Sequence, residues 1–111
     1  MSEPTNAEVL TRLFDVIESR RGADASSSYT AKLLAGGAPK IGKKLSEEAA
    51  EVTIAALSEG KDAVTAESAD LLYHLLVMWA AMDVKPEYVY AELAKREGIS
   101  GIDEKNSRTD K

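Results

Sequence analysis

Lys44-Leu45-Ser46-Glu47-Glu48-Ala49-Ala50-Glu51 is answered further along the chain by Glu67-Ser68-Ala69-Asp70. If both stretches are helical, Glu48 and Glu51 stand at i and i+3, as do Glu67 and Asp70, and each pair projects from one side of its helix. On a wheel of about 100° per residue started at Ile41, the residues Ile41, Leu45, Ala49, Val52 and Ala56 form one apolar stripe, with Glu48 inside it, roughly 20° from Ile41. Lys44 and Glu51 flank the stripe within about 80° on the same side. On the second stretch, Glu67, Asp70 and His74 share a face that continues as Val77, Met78 and Ala81.

Acids and lysines at helical spacing are commonly solvated pairs, and Lys40, Lys44, Glu47, Glu48 and Glu51 can be read that way. The wheel position of Glu48 and the second acidic pair argue against it. A buried carboxylate without a partner is costly and tends to protonate, so several acids on inward faces need cations. Lys44, a metal ion, or both can supply that charge.

With 111 residues the chain has room for one domain, and 44% hydrophobic with 30% charged residues is a globular composition. A net charge of −5 argues against nucleic-acid binding, which needs a basic stripe, but suits phosphate binding through a divalent cation. The absence of cysteine excludes a disulfide framework and a thiolate zinc site. Met1-Ser2-Glu3-Pro4 has neither the basic nor the apolar part of a signal peptide, and the apolar run Leu75 to Met82 is too short to span a bilayer. The expectation is a cytoplasmic protein that does not enter membranes.

Along the chain, Thr5 and Glu8 are placed for a capping box, followed by Val9, Leu10, Leu13, Phe14 and Ile17 at helical spacing until Gly22. The serines ending Asp24-Ala25-Ser26-Ser27-Ser28 can cap a short helix from Tyr29 to about Leu34, closed by Gly36-Gly37. Pro39 suits the first turn of the long helix carrying the acids, and Gly42 inside it is a defect of about 1 kcal/mol relative to Ala. Gly60 ends that helix, Asp62 is placed to cap the next, which runs to about Met82, and Pro86 restarts a helix through Tyr88, Val89, Tyr90, Leu93 and Ala94 that Gly98 stops. No strand pattern occurs. The expected fold is all-α, a bundle of four main helices plus a short one, in a single domain over 1–111 with a polar tail at 99–111. Between Ala69 and Met82 only Asp70 and His74 are polar, so that helix either lies at the centre of the monomer or is covered by a second copy; in so small a chain a dimer is favoured.

Glu48-x-x-Glu51 followed by Glu67-x-x-Asp70 resembles the metal-binding signature of the all-α nucleotide pyrophosphohydrolase (MazG-like) superfamily. Within it, the chain resembles the phosphoribosyl-ATP pyrophosphatase family in Ser28-Tyr29-Thr30, in Lys40 through Glu51, in Glu67-Ser68-Ala69-Asp70-Leu71-Leu72-Tyr73-His74, in Leu93-Ala94-Lys95-Arg96, and in Ser100-Gly101 with Glu104-Lys105 and Ser107-Arg108. The resemblance implies hydrolysis of the α–β phosphoanhydride of phosphoribosyl-ATP to phosphoribosyl-AMP and pyrophosphate, the second step of histidine biosynthesis, with Mg²⁺ and a homodimer. It also raises Ser28, Tyr29, Thr30, Lys105, Ser107 and Arg108 to substrate contacts.

On that reading Glu48, Glu51, Glu67 and Asp70 hold Mg²⁺ against the triphosphate. Glu47 can orient or deprotonate the water, or remain a surface acid; Lys44 can contact phosphate or pair with the acids. His74, a lone histidine on an apolar face, reads first as a hydrogen-bonded core residue, and so does Tyr73. Two alternatives stay open: a nucleoside triphosphate or dUTP pyrophosphohydrolase of the same superfamily, and a non-catalytic helical dimerisation module.

Overall fold

In the computed structural model, residues 5–99 are described, and they form four helices: α1 (Glu8–Ser19), α2 (Tyr29–Ser58), α3 (Lys61–Ala81) and α4 (Pro86–Arg96). No strand occurs among the described residues. Gly37, at φ 78° and ψ −179°, interrupts α2. It divides the helix into a short arm over 29–36 and a long arm over 38–58, so the expected short helix is present as the first arm. Positive φ, rather than lack of space, demands glycine here, because an added Cβ would meet nothing closer than Pro39 Cδ at 3.8 Å. Pro39 sits in the first turn of the long arm, where its missing N–H breaks no helical bond.

One apolar core joins the helices. Phe14 and Ile17 from α1, Leu33 and Ile41 from the two arms of α2, and Leu76, Val77 and Ala80 from α3 are buried together. α3 is the central element, packed against α2 along much of its length and against α1 on another side. Arg21 ties the end of α1 to the last turn of α3, donating from Nη2 to the Ala80 carbonyl at 2.6 Å while pairing with Glu18. α4 is held more lightly, by buried Pro86 and by a hydrogen bond between the hydroxyls of Thr11 and Tyr90 at 3.4 Å.

Three expectations about the helices are corrected. Thr5 does not cap α1: the N-cap is Ala7, with no side-chain cap, and Asn6 Oδ1 accepts the Glu8 N–H at 2.9 Å. Asparagine bonding the backbone two residues on is a local alternative to a capping box. Asp62 does not cap α3 either, because Gly60 holds that position at φ 114°; Asp62 lies in the first turn, where its charge still favours the helix dipole.

The third concerns the apolar stripe. Ile41 and Ala55 are buried and Leu45 and Val52 half-buried, but Ala49 and Ala56 are exposed. α3 covers the side of α2 on which Glu48 lies, away from Ala49, so Glu48 is nearer the middle of the helix contact than the stripe implied. Ser28, by contrast, caps as expected, its hydroxyl accepting the Ala31 N–H at 3.1 Å. At Gly42 an added Cβ would touch Met78 Cε at an ordinary 3.6 Å, so packing does not explain the glycine.

Candidate active site

The long arm of α2 and the first half of α3 lie side by side, and this brings three carboxylates together. Glu48, Glu67 and Asp70 each offer an oxygen lying within 4.8 Å of the others. Glu48 and Glu67 are half-buried and Asp70 is exposed, so the trio opens to solvent at one edge of the helix pair. Like charges at this spacing repel. Partial burial, then the charges of Asp70, Glu51, Glu48 and Glu59, push the Glu67 carboxyl above its ordinary value.

Lys44, the nearest cation along the sequence, does not neutralise the trio directly. Its ammonium pairs with Glu47 at 3.5 Å. The Tyr29 phenol, then Glu47 and more weakly Glu48, hold it above the usual lysine value. Glu47 is thus an exposed acid paired with Lys44, outside the carboxylate trio. Glu51 is exposed and also outside the trio, although its charge acts on Glu67. Sequence reasoning passed over Glu59, whose charge reaches Glu67 from the end of the same helix; as an isolated acid beside Gly60 it carried no signal.

Next to the acids is a second polar cluster of a different kind. His74 is 5% exposed, and its Nδ1 lies 2.8 Å from the Asp70 carbonyl oxygen. A carbonyl only accepts, so Nδ1 donates, which leaves Nε2 of the neutral ring to accept the Tyr29 hydroxyl at 3.0 Å. The hydroxyls of Thr30 and Tyr73 hydrogen-bond to each other. Tyr73 stacks on Tyr29 with ring centroids 6.3 Å apart and meets His74 edge-on at 5.0 Å. Within this group each polar contact has a donor and an acceptor. His74 is therefore the hydrogen-bonded core residue that its position implied.

Ser28, Tyr29 and Thr30 thus stand at the start of α2, as cap, phenol and hydroxyl, beside the residues of α3 next to the acids. Lys105, Ser107 and Arg108 lie outside the described residues. An open, mostly apolar groove of about 240 Å³ between α1 and α4, lined by Ala7, Glu8, Leu10, Thr11 and Tyr90, contains none of the clustered acids.

Comparison with known proteins converges on one family. Residues 10–97 match the family model described as phosphoribosyl-ATP pyrophosphohydrolase. A protein of Paramagnetospirillum magneticum named phosphoribosyl-ATP pyrophosphatase is 58% identical over 106 residues, covering 96% of this chain and 97% of its own length. Proteins of the same name from Rhodospirillum rubrum and Parvibaculum lavamentivorans are 55% and 58% identical, covering 97% and 93% of this chain and 92% and 94% of their own lengths.

Proposed function

The chain belongs to the phosphoribosyl-ATP pyrophosphohydrolase family, and we propose that it hydrolyses the α–β phosphoanhydride of phosphoribosyl-ATP, giving phosphoribosyl-AMP and pyrophosphate in the second step of histidine biosynthesis. The observation that carries this reading is the convergence of Glu48, Glu67 and Asp70. An all-carboxylate donor set open to solvent, in which partial burial and then the neighbours' charge push the Glu67 carboxyl above its ordinary value, is what a hard divalent cation stabilises and what a structural acid cluster avoids.

Glu48, Glu67 and Asp70 fit Mg²⁺, with Glu51 one turn away to serve a second ion or a metal-bound water. When bound, Mg²⁺ neutralises triphosphate charge and lowers the pKa of a coordinated water. The chain's own groups do the rest. Lys44, tethered at Glu47, offers its ammonium to phosphate oxygens, and Glu47 shares its charge between Lys44 and the attacking water. A water oxygen joins phosphorus on one side of the bridging oxygen, and the bridge leaves with the other. Ser28, Tyr29 and Thr30 contribute substrate contacts from the start of α2, and Lys105, Ser107 and Arg108 from the tail.

A homodimer completes the reading. Leu57 at 83% exposure and Ile54 at 49%, with Ala49, Ala50 and Ala56, leave an apolar face on α2, and Leu72 on α3 is also 43% exposed. We place the second copy there. No helix among the described residues is long and apolar enough to cross a membrane, which accords with a cytoplasmic biosynthetic enzyme.

Pyrophosphate release from phosphoribosyl-ATP, ATP and dUTP, each with and without Mg²⁺, tests the assignment. Mg²⁺-dependent release confined to phosphoribosyl-ATP is expected. Release from ATP or dUTP instead would move the protein to nucleotide housekeeping, and release from none would favour a non-catalytic module.

A further inference from the structure

Lys40, Lys44, Glu47 and Glu51 stand in one row along the long arm of α2, at i, i+4, i+7 and i+11. Lys44 and Glu47 pair with each other at 3.5 Å. Lys40 is different: it is exposed, and its ammonium makes no hydrogen bond or ion pair with the described residues. Its neighbours on the helix surface, one turn before and one turn after, are Gly36, Gly37, Lys43 and Lys44, with no acid among them. Helix stability does not account for such a placement. Like charges one turn apart repel, and a cation in the first turn of an arm opposes the helix dipole.

The lysine is nevertheless held in place, and Gly36 shows how. Gly36 is not among the glycines of positive φ, so its backbone does not require glycine. Space does: a Cβ there would run into Lys40 Cδ and would lie only 3.0 Å from Lys40 Cβ and 3.2 Å from Cγ. The stem of Lys40 therefore runs back over Gly36, in the direction a helical Cβ leans and away from Glu48. A lysine stem loses much rotamer freedom when it is ordered, and the trough at Gly36 does part of that ordering before any anion arrives. Lys40 lies eight residues before Glu48, about 12 Å along the helix axis, and its stem leads further off.

Phosphoribosyl-ATP carries phosphate at both ends, the triphosphate on one ribose and a phosphate monoester on the other. With the triphosphate held at Glu48, Glu67 and Asp70, an ammonium more than two helical turns away is beyond the triphosphate and within the span of the whole molecule. We propose that Lys40 binds the phosphate monoester of the phosphoribosyl group, with Gly36 as the positioning residue for its stem, and that this contact sets the preference for phosphoribosyl-ATP over ATP, which lacks that phosphate. An ordered ammonium with no internal partner is matched to an anion brought by the substrate, as the acid trio is matched to a cation. The proposal rests on the pyrophosphohydrolase reading and adds to it the chemical ground of its specificity.

The test uses Lys40→Ala, Gly36→Ala and the pair, with phosphoribosyl-ATP as substrate and each product in turn as inhibitor. The two products carry the two ends of the substrate, so they report on the two ends of the site separately. Lys40→Ala is expected to raise KM about tenfold with kcat nearly unchanged, as loss of one charge-assisted contact away from the reacting bond requires. The inhibition constant of phosphoribosyl-AMP should rise by a similar factor and that of pyrophosphate should stay as in wild type. Gly36→Ala, by displacing the stem, should raise KM about threefold in the presence of Lys40 and add nothing in the Lys40→Ala background. Lys40→Arg, which keeps the charge, should stay within about threefold of wild type. Both alanine changes favour the helix, so the variants should fold. An unchanged KM in Lys40→Ala, a pyrophosphate constant that rises as much as that of phosphoribosyl-AMP, or a Gly36→Ala effect that persists without Lys40 would overturn the proposal. An inactive wild-type chain would instead overturn the pyrophosphohydrolase reading, and the proposal with it.

Discussion

Two polar clusters lie side by side between α2 and α3, and they are built on opposite principles. In one, Tyr29, Thr30, Tyr73 and His74 pair donor with acceptor and stack ring on ring, needing nothing from outside. In the other, three carboxylates converge with no donor between them, and partial burial, then the neighbouring acids' charge, raises the proton affinity of Glu67. A self-satisfied cluster fixes geometry, whereas a cluster of like charges stores a demand for a cation. The contrast separates a cluster that satisfies its own polar groups from one that calls for a cation, although both draw on the eight residues of α3 from Glu67 to His74.

The largest effect should come from depriving the acid cluster of a ligand. Glu48→Gln or Asp70→Asn should lower turnover about a thousandfold while leaving the fold intact, since metal-assisted charge neutralisation supplies several kcal/mol of the barrier reduction. Circular dichroism beside the kinetic assay checks both halves. A variant that keeps its turnover would erase the distinction between the clusters.

A smaller change is expected where the chain bends to bring the clusters together. Gly37→Ala forces a side chain into φ 78° and should destabilise the protein by about 1–2 kcal/mol in urea unfolding. Tyr73→Phe strands the Thr30 hydroxyl and should cost about 1 kcal/mol in the same assay. Its effect on Mg²⁺ binding should be negligible, which sharpens the comparison, because damage to the satisfied cluster is then read in stability and damage to the acid cluster in metal affinity.

The smallest effect concerns pH. The folded-state pKa of Glu67 is raised, so the metal-free protein binds this proton more tightly folded than unfolded. The contribution is fully present below the ordinary glutamate value and is lost as pH rises through the raised one. Glu67→Gln should therefore stabilise the metal-free protein at neutral pH, seen as a higher Tm, and remove the stabilisation that Mg²⁺ gives wild type. A lower Tm in Glu67→Gln at pH 7 would mean that the carboxylate is satisfied rather than strained.

The acid cluster was legible in the sequence because helical periodicity alone puts Glu48 among apolar residues and stacks Glu67 under Asp70. Glu51 shares that spacing but lies outside the converging trio, and spacing alone does not show which of the acids converge. The helices were legible from their glycines and prolines, while the caps were not: Thr5 and Asp62 have the right chemistry, but Asn6 and Gly60 take the local geometry first. The stripe on α2 was misjudged at Ala49 and Ala56 because a wheel shows which residues share a face and not how far the neighbouring helix covers it. The pairing of Tyr29 with His74 joins residues 45 apart in sequence and depends on the break at Gly37. No local pattern encodes such a contact.

The central claim is that Glu48, Glu67 and Asp70 form one metal site. Titration of Mn²⁺, a paramagnetic substitute for Mg²⁺, into wild type, Glu48→Gln, Asp70→Asn and Glu47→Gln, with free ion followed by electron paramagnetic resonance, addresses it most directly. Saturable binding in wild type and Glu47→Gln, weakened at least tenfold in Glu48→Gln and Asp70→Asn, is the predicted result. Undiminished binding in Glu48→Gln and Asp70→Asn would contradict it.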